Sequence, residues 1–183
     1  MRKIIIALSS FVIIAGMGAF AWKACAADEP MAQADEGGGA AAGGDCCKAD
    51  DETPPLDLIK ATPKGGLHNP YNDKIAEVAE QGHKDYLSAG CNGCHGGGGG
   101  GGMCPPLTND TWVYGPDDDT LFRLVALGSD GLKAEGYHRV KQEVVVGPMP
   151  PFGGIITTSD KLWKIIAFIR SVNPSSVGKP PLQ

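Results

Sequence analysis

Cys91-Asn92-Gly93-Cys94-His95 is the stretch whose reading decides the fold. In a C-x-x-C-H sequence, two thiols three positions apart on a turn can add to the two vinyl groups of a haem. The imidazole of the next residue then lies beneath the iron as its proximal ligand. The other meanings of C-x-x-C are a thioredoxin-like redox pair and half of a zinc site. A redox pair follows a strand in a β-α-β pattern, and a zinc site needs a second ligand pair at similar spacing; this chain has neither pattern. The motif therefore predicts one covalently bound haem c, attached through Cys91 and Cys94, with His95 on the iron. The carbonyl of Pro105 is the natural acceptor for the remaining N–H of His95, which would fix the ring.

Outward from the motif the pattern is helical. Ile75, Val78, Ala79, Gly82 and Tyr86 recur at helical spacing and predict an amphipathic helix over 72–89. Asp117, Asp118 and Asp119 suit a helix start, Leu121, Phe122 and Val125 give it an apolar face, and Gly128 stops it. A third helix begins after Thr158 or Ser159, carries Leu162, Ile165, Ile166 and Ile169 on one side with Trp163 and Phe168 flanking, and ends before Pro174. Three short helices make a small core by themselves. A macrocycle packed against the helices of Tyr86, Phe122 and Trp163 would fill the middle. The expected fold is all-α, with three to four short helices wrapped around one haem over 67–175 and a C-terminal tail over 176–183.

The N-terminus predicts export. Arg2 and Lys3 precede an apolar run from Ile4 to Trp22, and Ala24-Cys25-Ala26 has the form of a leader-peptidase site, so 1–26 reads as a signal peptide. The run is also long enough to span a bilayer, which leaves an uncleaved inner-membrane anchor open. In both cases the remainder faces the periplasm, because Arg2 and Lys3 stay cytoplasmic. The segment 27–66, with its Gly and Ala runs, scattered acids and Pro54-Pro55, reads as a linker or disordered arm.

Charge narrows the partners. The chain has 16 Lys plus Arg against 21 Asp plus Glu, and without the leader 13 basic residues remain against 21 acidic. That balance argues against nucleic acid, whose phosphates require a basic surface. It suits an acidic carrier that meets a basic or mixed patch on a protein partner.

Candidates for the second axial ligand are Met103, Met149, His83 and His138. Met149 is favoured, because Gly147-Pro148-Met149-Pro150-Pro151-Phe152-Gly153-Gly154 combines prolines that stiffen an extended loop with glycines that permit a turn into the last helix. Met103 follows seven glycines on the proximal side, His138 lies in a polar stretch, and His83 and His68 read as exposed. The glycine run over 96–102 lacks the Gly-Lys-Ser/Thr and the preceding strand of a phosphate loop, so it reads as a flexible surface loop. Cys104 is a third thiol near the motif, and a bridge to Cys46 or Cys47 would hold the acidic arm over the proximal loop. The residues Tyr137 to Val146 suggest a small hairpin near the haem edge.

The combination of Gly82 and Tyr86 in a G-x-x-x-Y helix, C-x-x-C-H, Pro105-x-Leu107, a Met-Pro-x-Phe loop and an aromatic last helix resembles the class I monohaem cytochromes c over about 109 residues. Leu107 to Tyr114, with Trp112 and Tyr114, resembles cytochrome cL, the electron acceptor of quinoprotein alcohol dehydrogenases in methylotrophs. By that resemblance Gly82 and Tyr86 pack against Trp163, Pro105 accepts from His95, and Trp112 or Tyr114 hydrogen-bonds a haem propionate. Cys104 departs from the family's glycine before the proline, and 128–146 is longer than the family's usual approach to the methionine.

With His95 and Met149 on the iron no substrate position is left. The expected function is one-electron transfer, not catalysis, by a monomeric periplasmic carrier between a quinoprotein dehydrogenase and an oxidase or another cytochrome. The rivals are an anchored module of an oxidase or dehydrogenase complex and a haem enzyme or sensor with an open sixth position.

Overall fold

Pro55 starts a helix well before the point at which the sequence pattern turns helical. In the computed structural model, which describes residues 47–180, α1 spans Pro55–Ala61 and buries Leu58 and Ile59. A proline at the first helical position is pre-organised for the turn. Upstream of it, Ser159 N–H and Oγ–H both donate to Thr53 O, at 2.8 and 2.7 Å, and Asp160 N–H donates to Asp51 O at 2.9 Å. The expectation of an unstructured linker through Gly66 is thus corrected over its last part, where a seven-residue helix is too short to display a period. The expected leader and cleavage site, most of the expected acidic arm and Cys46 lie outside the described residues.

The described residues also form α2 (Ile75–Ser88), α3 (Asn92–His95), α4 (Asp118–Ala134), α5 (Ser159–Val172) and a 3-10 turn at Pro174–Ser176; no strand occurs among them. None of these helices is long and apolar enough to cross a membrane. The helix α5 begins at the expected cap, with Lys161 N–H donating to Thr158 Oγ1 at 3.3 Å.

The helices α2 and α5 cross at Gly82. A Cβ there would lie 1.9 Å from Lys164 O, so only glycine lets the two backbones approach this closely. The Tyr86 ring packs on Phe168, with centroids 5.1 Å apart, and Trp163 packs on Phe122 at 4.3 Å. The aromatic partner of Tyr86 is therefore Phe168, rather than the expected Trp163.

The acids at the start of α4 do more than favour a helix terminus. Asp117 caps it, accepting from Thr120 N–H at 2.9 Å, while Asp118 and Asp119 are buried. Asp118 accepts from Asn69 N–H, Asn72 Nδ2 and Arg170 Nη2 at 2.7–2.9 Å. Asp119 accepts from Leu67 N–H, Arg123 Nε and the Tyr137 hydroxyl. These carboxylates tie the chain before α2 and the chain after α4 to one helix end.

Gly128 breaks α4 without ending it, with φ 71° and ψ 174° inside the helix. The expected stop is thus a kink. It frees the carbonyls of Val125 and Ala126, which accept from Phe152 N–H and Gly153 N–H at 2.9 Å each. The loop containing Met149 is hung on the backbone groups that the break exposes. The segment after α4 is not the expected hairpin: Val140 N–H and Lys141 N–H share one acceptor, Val113 O, at 2.8 and 3.2 Å.

Candidate functional site

The short helix α3 presents the C-x-x-C-H residues on a single turn. Cys91 is buried and Cys94 and His95 half-buried, beside a cavity of about 480 Å³, a size typical of sites for small molecules and cofactors. Its lining is mostly apolar and includes Tyr86, Leu121, Val125, Ile165 and Ile169 from α2, α4 and α5. Cys91, His95, Pro105, Trp112, Tyr114 and Met149 all line it. An adjoining cavity of about 220 Å³ adds Cys94 and shares His95 and Met149. All seven residues that the sequence singles out thus meet around one crevice.

His95 Nδ1 donates to Pro105 O at 2.8 Å, which leaves Nε2 with its lone pair for a metal. Burial, and then the neighbouring Cys94, push the Cys91 thiol up to about 11. A thioredoxin-like pair needs the opposite shift, toward thiolate at neutral pH, so the environment of Cys91 speaks against that chemistry.

Met149 is held by its backbone. Its N–H donates to Ser129 Oγ at 3.0 Å, and Ser129 N–H donates to its carbonyl at 2.9 Å. A Cβ on Gly128 would lie 2.6 Å from Met149 O, so the kink glycine also makes room for the loop. Of the other candidates for the iron, His83 and His138 line neither cavity. His83 is half-buried rather than exposed, stacked 4.4 Å from Phe168, with Nε2 donating to Gly97 O at 2.6 Å. His138 is exposed and lines neither cavity. Met103 lines the smaller cavity but is 60 % exposed.

The glycine run is bound into the fold, contrary to the expectation of a flexible loop. Gly101 N–H donates to His95 O at 2.8 Å, Leu107 N–H to Gly99 O at 2.7 Å, and Cys104 N–H to Cys94 O at 3.1 Å. These bonds bring the Cys104 thiol to that of Cys94, and burial followed by this contact raises its pKa. No disulfide forms among the described residues; the Cys47 sulfur accepts from His68 N–H at 3.3 Å instead of bridging to Cys104.

Three residues of the site escape sequence reasoning. Ser129 carries no motif; its signal is only its place after a glycine inside an apolar helix. Arg139 and Glu143 line the larger cavity from the segment after α4. Arg139 Nε, Trp112 Nε1 and Glu143 Oε2 are buried there without partners among the described residues. Orphaned donors on an apolar cavity, beside two thiols and an imidazole with a free nitrogen, fit a large flat cofactor with acidic side arms.

Among models of protein families, the one described as cytochrome c oxidase, cbb3-type, subunit III, matches residues 77–169, just over half of the chain. No curated protein and no solved structure matches it.

Proposed function

The chain belongs to the family described as cytochrome c oxidase, cbb3-type, subunit III, and from that membership we propose a periplasmic one-electron carrier with His95 and Met149 as the axial ligands of its iron. Membership makes it a c-type cytochrome with a covalently bound haem c and electron transfer as its activity. When bound, haem c supplies reversible one-electron exchange at iron, tuned by the axial ligands. Everything else falls to the protein: Cys91 and Cys94 attach the cofactor, and Pro105 orients His95. The Gly128 break and Ser129 hold Met149 in the same cavity.

The presence of His95 and Met149 on one crevice carries this reading. Two protein ligands leave no open position, which favours a carrier over an enzyme or sensor. A thioether ligand favours the ferrous state and suits a carrier late in a chain. The donor we favour is a quinoprotein alcohol dehydrogenase, on the resemblance of Leu107 to Tyr114 to cytochrome cL, and the acceptor an oxidase or another cytochrome.

Carbon monoxide added to the ferrous holoprotein tests the reading: slow and incomplete binding at neutral pH is expected, and rapid, complete binding would mean an open sixth position. Stopped-flow reduction by a quinoprotein alcohol dehydrogenase tests the donor, with a rate that falls as ionic strength rises. An intact mass that retains Met1 to Trp22, with subunits that co-purify, would replace the free carrier by an anchored module.

A further inference from the structure

Cys104 is a nucleophile beside the motif that neither cofactor attachment nor axial ligation employs. The glycine run brings it there. Nine residues separate it from Cys94, seven of them glycine, and the chain doubles back over them with positive φ at Gly96, Gly99 and Gly101. A Cβ on Gly96 would lie 2.6 Å from Gly101 O, so the return is too tight for a side chain at that point. The turn closes where Gly101 N–H donates to His95 O at 2.8 Å and Cys104 N–H to Cys94 O at 3.1 Å.

Two cysteines joined in this way can be bridged. A disulfide requires Cα atoms within about 7 Å, and a direct bond from the N–H of one residue to the carbonyl of the other keeps them inside that limit. Their side chains are hydrogen-bonded to each other as thiols, and both residues are half-buried and line the smaller cavity. Cys91, the other partner open to Cys94, is only 7 % exposed. Thiol–disulfide exchange requires access to the attacking sulfur, so it favours Cys104 over Cys91. The bonds that close the turn lie within 94–104, and a loop this short costs little to close. The pairing therefore does not wait for a filled core.

We propose that Cys94 and Cys104 form a redox pair in the haem-free chain: a disulfide between them withholds Cys94 from attachment until a dithiol reduces it. The inference rests on the reading of Cys94 as an attachment point. Closure transfers two electrons and two protons from the thiols to a disulfide donor, RSSR, which leaves as two RSH; an oxidising periplasm keeps such donors in supply. A dithiol reductant reverses the step and becomes a disulfide itself. Attachment then adds the Cys94 S–H across a vinyl C=C, forming one carbon–sulfur and one carbon–hydrogen bond without external electrons, and it needs the sulfur as thiol. Cys94 thus serves two mutually exclusive covalent bonds, and Cys104, which departs from the family's glycine, supplies the second.

The test begins with the full chain, made haem-free in a host without cytochrome maturation, equilibrated with oxidised glutathione, denatured, alkylated and cut with trypsin and cyanogen bromide. Cuts after Lys84, Met103 and Arg123 put Cys91 and Cys94 on 85–103 and Cys104 on 104–123. Mass spectrometry is expected to find these two fragments linked, with the alkyl label on Cys91, and the link lost in Cys104→Ser. An alkylated Cys104, or Cys104 bridged to any cysteine other than Cys94, would overturn the pair. In a host competent in cytochrome maturation, the natural chain is expected to load less haem than Cys104→Ser when oxidised glutathione is supplied, and the same amount when dithiothreitol is supplied. Equal loading in the oxidant would overturn the withholding of Cys94. No haem in either chain under both conditions would overturn the haem reading itself, and the linked fragments would still decide the pair.

Discussion

Ser129 and Met149 hold each other through two hydrogen bonds, Met149 N–H to Ser129 Oγ at 3.0 Å and Ser129 N–H to Met149 O at 2.9 Å. The second exists because Gly128 interrupts α4 and releases the Ser129 N–H from its helical partner. A helix defect thereby becomes the mount for a loop. The side chain of Met149 needs no regular structure around it, because its backbone is clamped on both sides.

Ser129→Ala removes the bond from Met149 N–H and leaves the return bond in place. The net loss is about 1 kcal/mol, or roughly a fivefold shift in an equilibrium. The variant keeps its haem, and added imidazole displaces the sulfur ligand about five times more readily than in the natural protein. Imidazole titration followed by absorbance measures this; an unchanged affinity would show that Ser129 does not position Met149.

Gly82 and Gly93 separate close approach from mere presence of glycine. A Cβ on Gly82 meets Lys164 O at 1.9 Å, whereas one on Gly93 meets nothing within 4 Å. Gly82→Ala forces α2 from α5 and costs about 3 kcal/mol or more, at the upper end for overpacked cores. Gly93→Ala, inside the C-x-x-C-H motif, keeps haem attachment and melting temperature close to those of the natural protein. Thermal unfolding of the two holoproteins side by side is the check.

Tyr86 gives the fold a pH dependence of known sign. Its hydroxyl donates to Gly96 O at 2.7 Å, and burial, first among the causes, pushes its pKa from 10.0 to about 12. The unfolded chain gives up this proton above pH 10 and the folded chain only near 12. The stabilisation is therefore complete below pH 10 and is lost as pH rises through that window. Burial persists when Cys91 and Cys94 are thioethers, so the shift survives in the holoprotein. Denaturant unfolding of Tyr86→Phe and the natural protein should show a stability difference that is largest at pH 8–9 and shrinks toward pH 12. A difference independent of pH would contradict the assignment.

The centre of the fold was legible because its chemistry is local. Five consecutive residues, Cys91 to His95, predict the cofactor, and helical periods place α2, α4 and α5 beside them. Thr158 as a cap and Pro105 as the acceptor for His95 were readable for the same reason. What stayed hidden depends on the third dimension. Whether Gly128 ends a helix or kinks it is decided by the loop that returns to occupy the freed carbonyls, more than twenty residues later. Asp118 and Asp119 read as helix-start acids, since nothing in the sequence reveals Arg170 or Leu67 as partners. The glycines over 96–102 read as flexible because their hydrogen bonds run to His95, Cys104 and Leu107, partners that a glycine run does not disclose. Arg139 carries no motif, and only the fold sets it on the cavity wall with its Nε buried.

The near-infrared sulfur-to-iron absorption of the ferric holoprotein, recorded for the natural chain and for Met149→Ala, is the most direct test of His95 and Met149 as the two axial ligands. The band is expected in the natural protein and absent from the variant, with a lowered midpoint potential. A band of undiminished strength and an unchanged midpoint in Met149→Ala would contradict the assignment.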